Sequence, residues 1–394
     1  MQCRAGTWVA VLATAASTFL AAAARAQAPA VSAMDTAPLL LVAAIRAREV
    51  AMRLESHGAA PARTPAARTA ATQYALGLDQ LSRGHFDSAT VAFTAAATAS
   101  PDIARYRGDL GFAFAAGGHW SDAEDQYRIA VRLQQANPWY YVSLGTTQLA
   151  QEHWNQAAAS FTLAVAADSA VIIRQLIEPA GDAFERSRNV EAMEAWSLMA
   201  TVRYPDEAVP WLRVASANVR QDTSVGFPAI RRYRALKPQD PVGQMVYAEY
   251  LLGAGQYDSA AAYAIEGSAD TALHSLASVV LYNAGGHLLQ TQHPDLAAHA
   301  LEVGRPWTTP EEQPRYDLFL GLARFKLLQG YYNEAAQHSD CHKAHPADSM
   351  MTDVTQLLTS GVAADSAFAN QVLTTVVPRF RTAIDEFVRQ CRGK

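Results

Sequence analysis

A spacing of 34 residues constrains this chain more than any other feature. Leu76-Gly77, Leu110-Gly111 and Leu144-Gly145 stand 34 residues apart. Ala89, Ala123 and Ala157 keep the same step. So do Phe93, Tyr127 and Phe161, and Ala96, Ala130 and Ala164. Four tracks that agree over three units describe one structural unit copied along the chain. A unit this short cannot bury its own apolar face, so successive units must stack. A stacked array also accommodates the length of 394 residues without a single large core.

Composition says what the unit is made of. Hydrophobic residues make up 50% of the chain and alanine dominates them. Alanine is the best helix former and lets helices approach closely. Val and Ile are sparse, which argues against a large sheet. The formal charge of −5 comes with no basic run, so nothing points to nucleic acid as a partner.

The Leu-Gly pair followed by Ala, an aromatic and Ala resembles the tetratricopeptide repeat (TPR) consensus. Leu-Gly belongs to the first helix (A) and the Ala-aromatic-Ala track to the second (B). Pro101 falls where that family often closes a unit. The resemblance implies an all-α, right-handed superhelical solenoid of about eight helix-turn-helix units with helical caps. The frame predicts regular units at 70–103, 104–137 and 138–171. Divergent ones follow at about 173–206, 208–240, 241–274, 278–311 and 316–349. Glu178-Pro179 stands where Leu-Gly is wanted, so that helix is expected to bend or shorten. Gly226-Phe227-Pro228 reads as a loop signal.

The organisation that follows is residues 1–26 as a signal peptide and 27–69 as an N-terminal capping helix and linker. Residues 70–171 hold three regular units, 172–349 about five divergent ones, and 350–394 C-terminal capping helices. At the N-terminus, Arg4 precedes an apolar stretch from Thr7 to Ala24, and Ala24-Arg25-Ala26 supplies small residues for signal cleavage. Cleavage is expected after Ala26, with export to the periplasm or the cell exterior; the alternative is an uncleaved membrane anchor. No stable membrane insertion is expected thereafter.

By the same resemblance, helix A of each unit lines a concave groove. The implied groove residues are Tyr74, Leu78 and Leu81, then Arg105 and Phe112, then Trp139, Val142 and Thr146. Arg174, Ile177 and Phe184 follow, then Met245 and Glu249. The expected ligand is a protein or peptide, anchored by aromatics, with Arg105 or Arg174 holding a carboxylate. The alternative for Phe112 and Trp139 is packing between units. No cofactor is expected. No GxSxG elbow, P-loop or GxGxxG appears, so the expectation is a non-catalytic scaffold.

Two histidine patterns remain. His85, His119, His153 and His293 share one place in the frame, the turn between helices A and B. Neighbouring units stack about 10 Å apart, too far for easy sharing of a metal, and a polar turn residue is the plainer reading. His338, Cys341, His342 and His345 form the densest group of potential ligands, and a zinc or copper site there is the alternative function. Cys341 and Cys391 are the cysteines of the expected mature chain, and an oxidising compartment would allow them to pair instead.

Overall fold

The computed structural model describes residues 33–55, 64–219, 221–338, 341 and 344–391. The expected signal peptide at 1–26 lies outside them. Among the described residues all regular structure is helical, with no strand. The chain divides into two compact units, residues 28–217 and a second one from Asn218 onward.

The first unit begins with α1 (Ala33–Glu55), α2 (Pro65–Ser82), α3 (Phe86–Ala99), α4 (Ala104–Ala116) and α5 (Trp120–Leu133). It continues with α6 (Pro138–Ala150), α7 (Trp154–Ala167), α8 (Arg174–Arg186), α9 (Val190–Arg203) and α10 (Ala208–Asn218). Helices α2/α3, α4/α5, α6/α7 and α8/α9 form hairpins, and each hairpin packs on the next. The 34-residue period is therefore a period of helix pairs of the tetratricopeptide type.

The repeated step has a packing cause. A Cβ on Gly77 would stand 2.5 Å from Phe93, and one on Gly145 would stand 3.0 Å from Phe161. On Gly111 it would stand 3.2 Å from Tyr127. The aromatic of helix B therefore fills the notch left by the glycine of its own helix A, as well as facing the next pair. Ala89, Ala96, Ala123, Ala130, Ala157 and Ala164 are all fully buried.

The turns have an equally local cause. Gly84 adopts φ +77° and its N–H donates to the Leu81 carbonyl at 3.0 Å. The next N–H, from His85, donates to the Gln80 carbonyl at 3.0 Å. This is a Schellman ending, which satisfies the last carbonyls of helix A. The His85 carbonyl then accepts from Ala89 at 2.9 Å, so the same residue opens helix B. His119, His153 and His293 repeat this role as first cap residues of their helices. The histidine row is thus a row of turn residues.

The shortening expected at Pro179 and the loop expected at Pro228 are corrected. α8 continues through Pro179 at full length, and residues 226–228 are helical rather than loop. Each proline is the sixth residue of its helix, removes one main-chain donor there, and leaves the remaining ladder in place.

Helix α1 is the main departure from the expected layout. It does not cap an end of the array. It packs across α4 and α6, the first helices of the second and third pairs. Nor does the linker reach 69, because Thr64 caps α2 by accepting from Ala67 N at 3.1 Å and Pro65 is the first helical residue.

The second unit contains α11 (Thr223–Leu236), α12 (Pro241–Gly253), α13 (Tyr257–Gly267), α14 (His274–Gln290) and α15 (Pro294–Gly304). It ends with α16 (Gln313–His338), α17 (Ala344–Gly361), α18 (Ser366–Gln371) and α19 (Val377–Cys391). α12/α13, α14/α15 and α16/α17 are hairpins. The last departs from the 34-residue frame, because α16 runs unbroken for 26 residues where a turn was expected. Ile384 of α19 packs into one cluster with Phe325 and Leu328 of α16 and Val354 and Leu358 of α17. Phe380 stands edge-on to Phe325 at 5.4 Å and to Tyr332 at 5.2 Å. Cys341 and Cys391 are joined by a disulfide with Cα atoms 5.3 Å apart.

Candidate functional site: a helix seat on the first unit

The expected groove face of two first helices, α4 and α6, is covered by α1. Leu39, Ala43 and Ala47 of α1 share a core cluster with Trp139, Tyr140 and Val142 of α6. Leu40 and Ala44 share another with Phe112 and Ala115 of α4 and Leu144 of α6. The inner face of α1 thus reads Leu39, Leu40, Ala43, Ala44, Ala47, Ala51, a small-residue stripe at helical spacing. Phe112, Trp139 and Val142 are buried accordingly.

Polar groups fix the register of α1 on this seat. Asn137 is fully buried and accepts from Trp139 N at 3.1 Å while its Nδ2 donates to the Ala47 carbonyl at 3.2 Å. One side chain therefore caps α6 and grips α1. Further along, Arg48 Nε lies 3.8 Å from the carboxylate of Asp109 on α4. The Tyr74 hydroxyl donates to the same carboxylate. Burial pushes the Asp109 carboxyl up to about 6, against the Tyr74 hydrogen bond and the charges of Arg48 and Arg105, which pull it down. Burial also raises the Tyr74 hydroxyl, and the neighbouring Asp109 charge adds to that.

The other groove residues have different places. Tyr74 sits between α2 and α4, with its ring 4.7 Å from Tyr106 and 5.6 Å from Phe93. Leu78 is half-buried against the same cluster. Arg105 lies over the Tyr74 ring at 5.1 Å. Phe184 packs on Trp196 at 5.8 Å within the α8/α9 pair, so it is a core residue rather than a groove anchor. Arg174 was expected to meet a partner's carboxylate. It already pairs with Asp206 at 2.7 Å and with Glu207, and lies over Tyr204 at 4.9 Å. The turn after α9 brings those two acids to the start of α8, which neutralises the charge locally.

Of the C-terminal ligand cluster, the side chains of His338 and Cys341 are among the described residues. Cys341 is committed to its disulfide, which removes the thiolate a soft metal site requires. His338 is exposed at the end of α16. His342 and the side chain of His345 lie outside the described residues. Among the described residues no group of three or more His, Cys, Asp and Glu is placed to hold a metal ion. Nor is any described helix long and apolar enough to cross a membrane.

The fold and the seat define an all-α protein built from tetratricopeptide-type helix pairs. Among solved structures, the chain is similar to a tetratricopeptide repeat protein from Parabacteroides merdae. The two are 15% identical, with 66% of this chain and 98% of that one covered and a TM-score of 0.35. It is also similar to YrrB, described as a TPR protein with an unusual peptide-binding site. There the identity is 16%, the coverage 55% and 92%, and the TM-score 0.26. The TPR domain of P58(IPK) is 10% identical over 82% of this chain and 99% of that one, with a TM-score of 0.25. At these values the likeness says nothing about the seat. No protein-family model and no curated protein matches the chain.

Proposed function

We propose that this protein is a non-catalytic interaction scaffold that holds a helical segment of a protein partner on the seat formed by α4 and α6. One observation carries the reading: a helix already lies there, seated by Phe112, Trp139 and Val142 and gripped by Asn137 and Asp109. The surface therefore has the shape and polar register of a helix receptor. Its polar groups are positioned to fix a helix, and none is paired as nucleophile and base.

The scaffold works in an oxidising compartment on this reading. The Cys341–Cys391 pairing supports it, as does the signal-like segment before Gln27.

The test is direct binding of a helix. Ala43→Glu with Ala47→Glu places two charged side chains under α1 and clears the seat in an otherwise complete chain. A labelled synthetic peptide of residues 33–55 should then bind in trans. That binding should weaken at least tenfold when Phe112→Ala and Trp139→Ala are added. No binding to the cleared seat would reject the reading.

A further inference from the structure

The seat is filled by a segment of its own chain, and that segment is a modest ligand. Four of its seven buried positions are Ala43, Ala44, Ala47 and Ala51, each contributing a single methyl. Beside Leu39, Leu40 and the half-buried Val50, which pack inward, three further bulky apolar residues, Leu41, Ile45 and Met52, share a helix face and are about half exposed. The Arg48–Asp109 pair is long at 3.8 Å, and the Arg48 side chain is 40% exposed to water that screens it. Against this, the seat offers the aromatic rings of Phe112 and Trp139 and a buried carboxylate. The receptor is built of larger groups than its occupant uses.

We infer that α1 is a built-in competitor for the seat, displaced by a partner helix of matching pattern. This rests on the helix-receptor reading above and adds its regulation. The partner's pattern is read from the contacts. Two adjacent apolar residues fill the places of Leu39 and Leu40. A small-residue stripe at four-residue spacing follows, as at Ala43, Ala47 and Ala51. A basic residue directly after the second of these meets Asp109, as Arg48 does. A helix that keeps this stripe and adds apolar bulk beside it binds more tightly than α1. Binding releases α1, whose mobility then reports occupancy.

The experiment compares the intact chain with the Ala43→Glu/Ala47→Glu chain, using the 33–55 peptide as probe. Hydrogen exchange over residues 33–55 shows whether α1 is seated. The expected result is protection in the intact chain, none in the variant, and at least tenfold tighter peptide binding by the variant. Leu39→Ala with Leu40→Ala loosens α1 without introducing charge and should give an intermediate affinity, which guards against misfolding of the charged variant. Equal affinities in intact and cleared chains would overturn the competition while leaving the helix receptor standing. Absence of binding to both would remove the receptor and the competition with it.

Discussion

Asp109 carries a carboxylate where water does not reach, and its proton balance sets a measurable slope. Its folded value of about 6 lies above the ordinary 3.8. The native state therefore holds this proton to higher pH than the unfolded chain does. Stability from this group falls as pH rises from about 4 to about 6 and is flat above that, a loss of about 3 kcal/mol. Asp109→Asn keeps an acceptor for the Tyr74 hydroxyl and removes the titration. Denaturation midpoints measured from pH 4 to 7 should show a flatter profile in the variant. A second residue-scale contrast concerns glycine. Gly77→Ala drives a methyl to 2.5 Å from Phe93 and should destabilise by about 1–3 kcal/mol. Gly253→Ala, with nothing within 4 Å, should be neutral or stabilise by up to about 1 kcal/mol. A lowered melting temperature for the first and an unchanged or raised one for the second would check both. The glycine step was legible in the sequence because its cause lies within one hairpin. Asp109 was not, because its partners come from three different helices.

At the scale of elements, the regular pairs could be read from their period and the helix that covers α4 and α6 could not. Phe112, Trp139 and Val142 mark a helix face that receives something, and the sequence pattern does not say that the ligand is the same chain. Ala47 and Asn137, whose contact settles it, are 90 residues apart. The last hairpin was expected at about 316–349 and is longer, for a different reason. α16 runs through Gly330, with open space where a side chain would stand, and carries Ala335 that the frame gave to the second helix. The disulfide belongs to this scale as well. It closes a span of 50 residues and ties the end of α19 to the segment after α16. Cys341→Ser with Cys391→Ser should cost the C-terminal end about 4 kcal/mol on the chain-entropy account. The measurement is hydrogen exchange of α19, which should lose protection when the bridge is absent and keep it when only surface residues are changed.

For the whole molecule, stacked pairs make stability a sum of neighbouring terms rather than one global quantity. Removing the disulfide should therefore deprotect residues 313–391 and leave α2 to α7 unchanged in the same exchange experiment. Loss of protection in both regions would show a single cooperative block instead. The array and its helix pairs were evident from a spacing of 34 residues because a solenoid repeats its own local rules. The route of α1 back across the array obeys no local rule, so the pattern was silent about it.

That route has a consequence for the order of events in synthesis. A chain is made from its N-terminus, so α1 is complete long before α6 exists to receive it. Closing a contact across 90 residues is a late step, and its rate depends on both pairs being folded first. During that interval the receptor's future tenant is unbound and the receptor, once formed, is briefly vacant. On the proposed competition, a partner present at the site of synthesis would meet no rival, whereas one arriving later would have to evict α1. Timing of encounter would then count beside affinity in setting which helix lies in the seat.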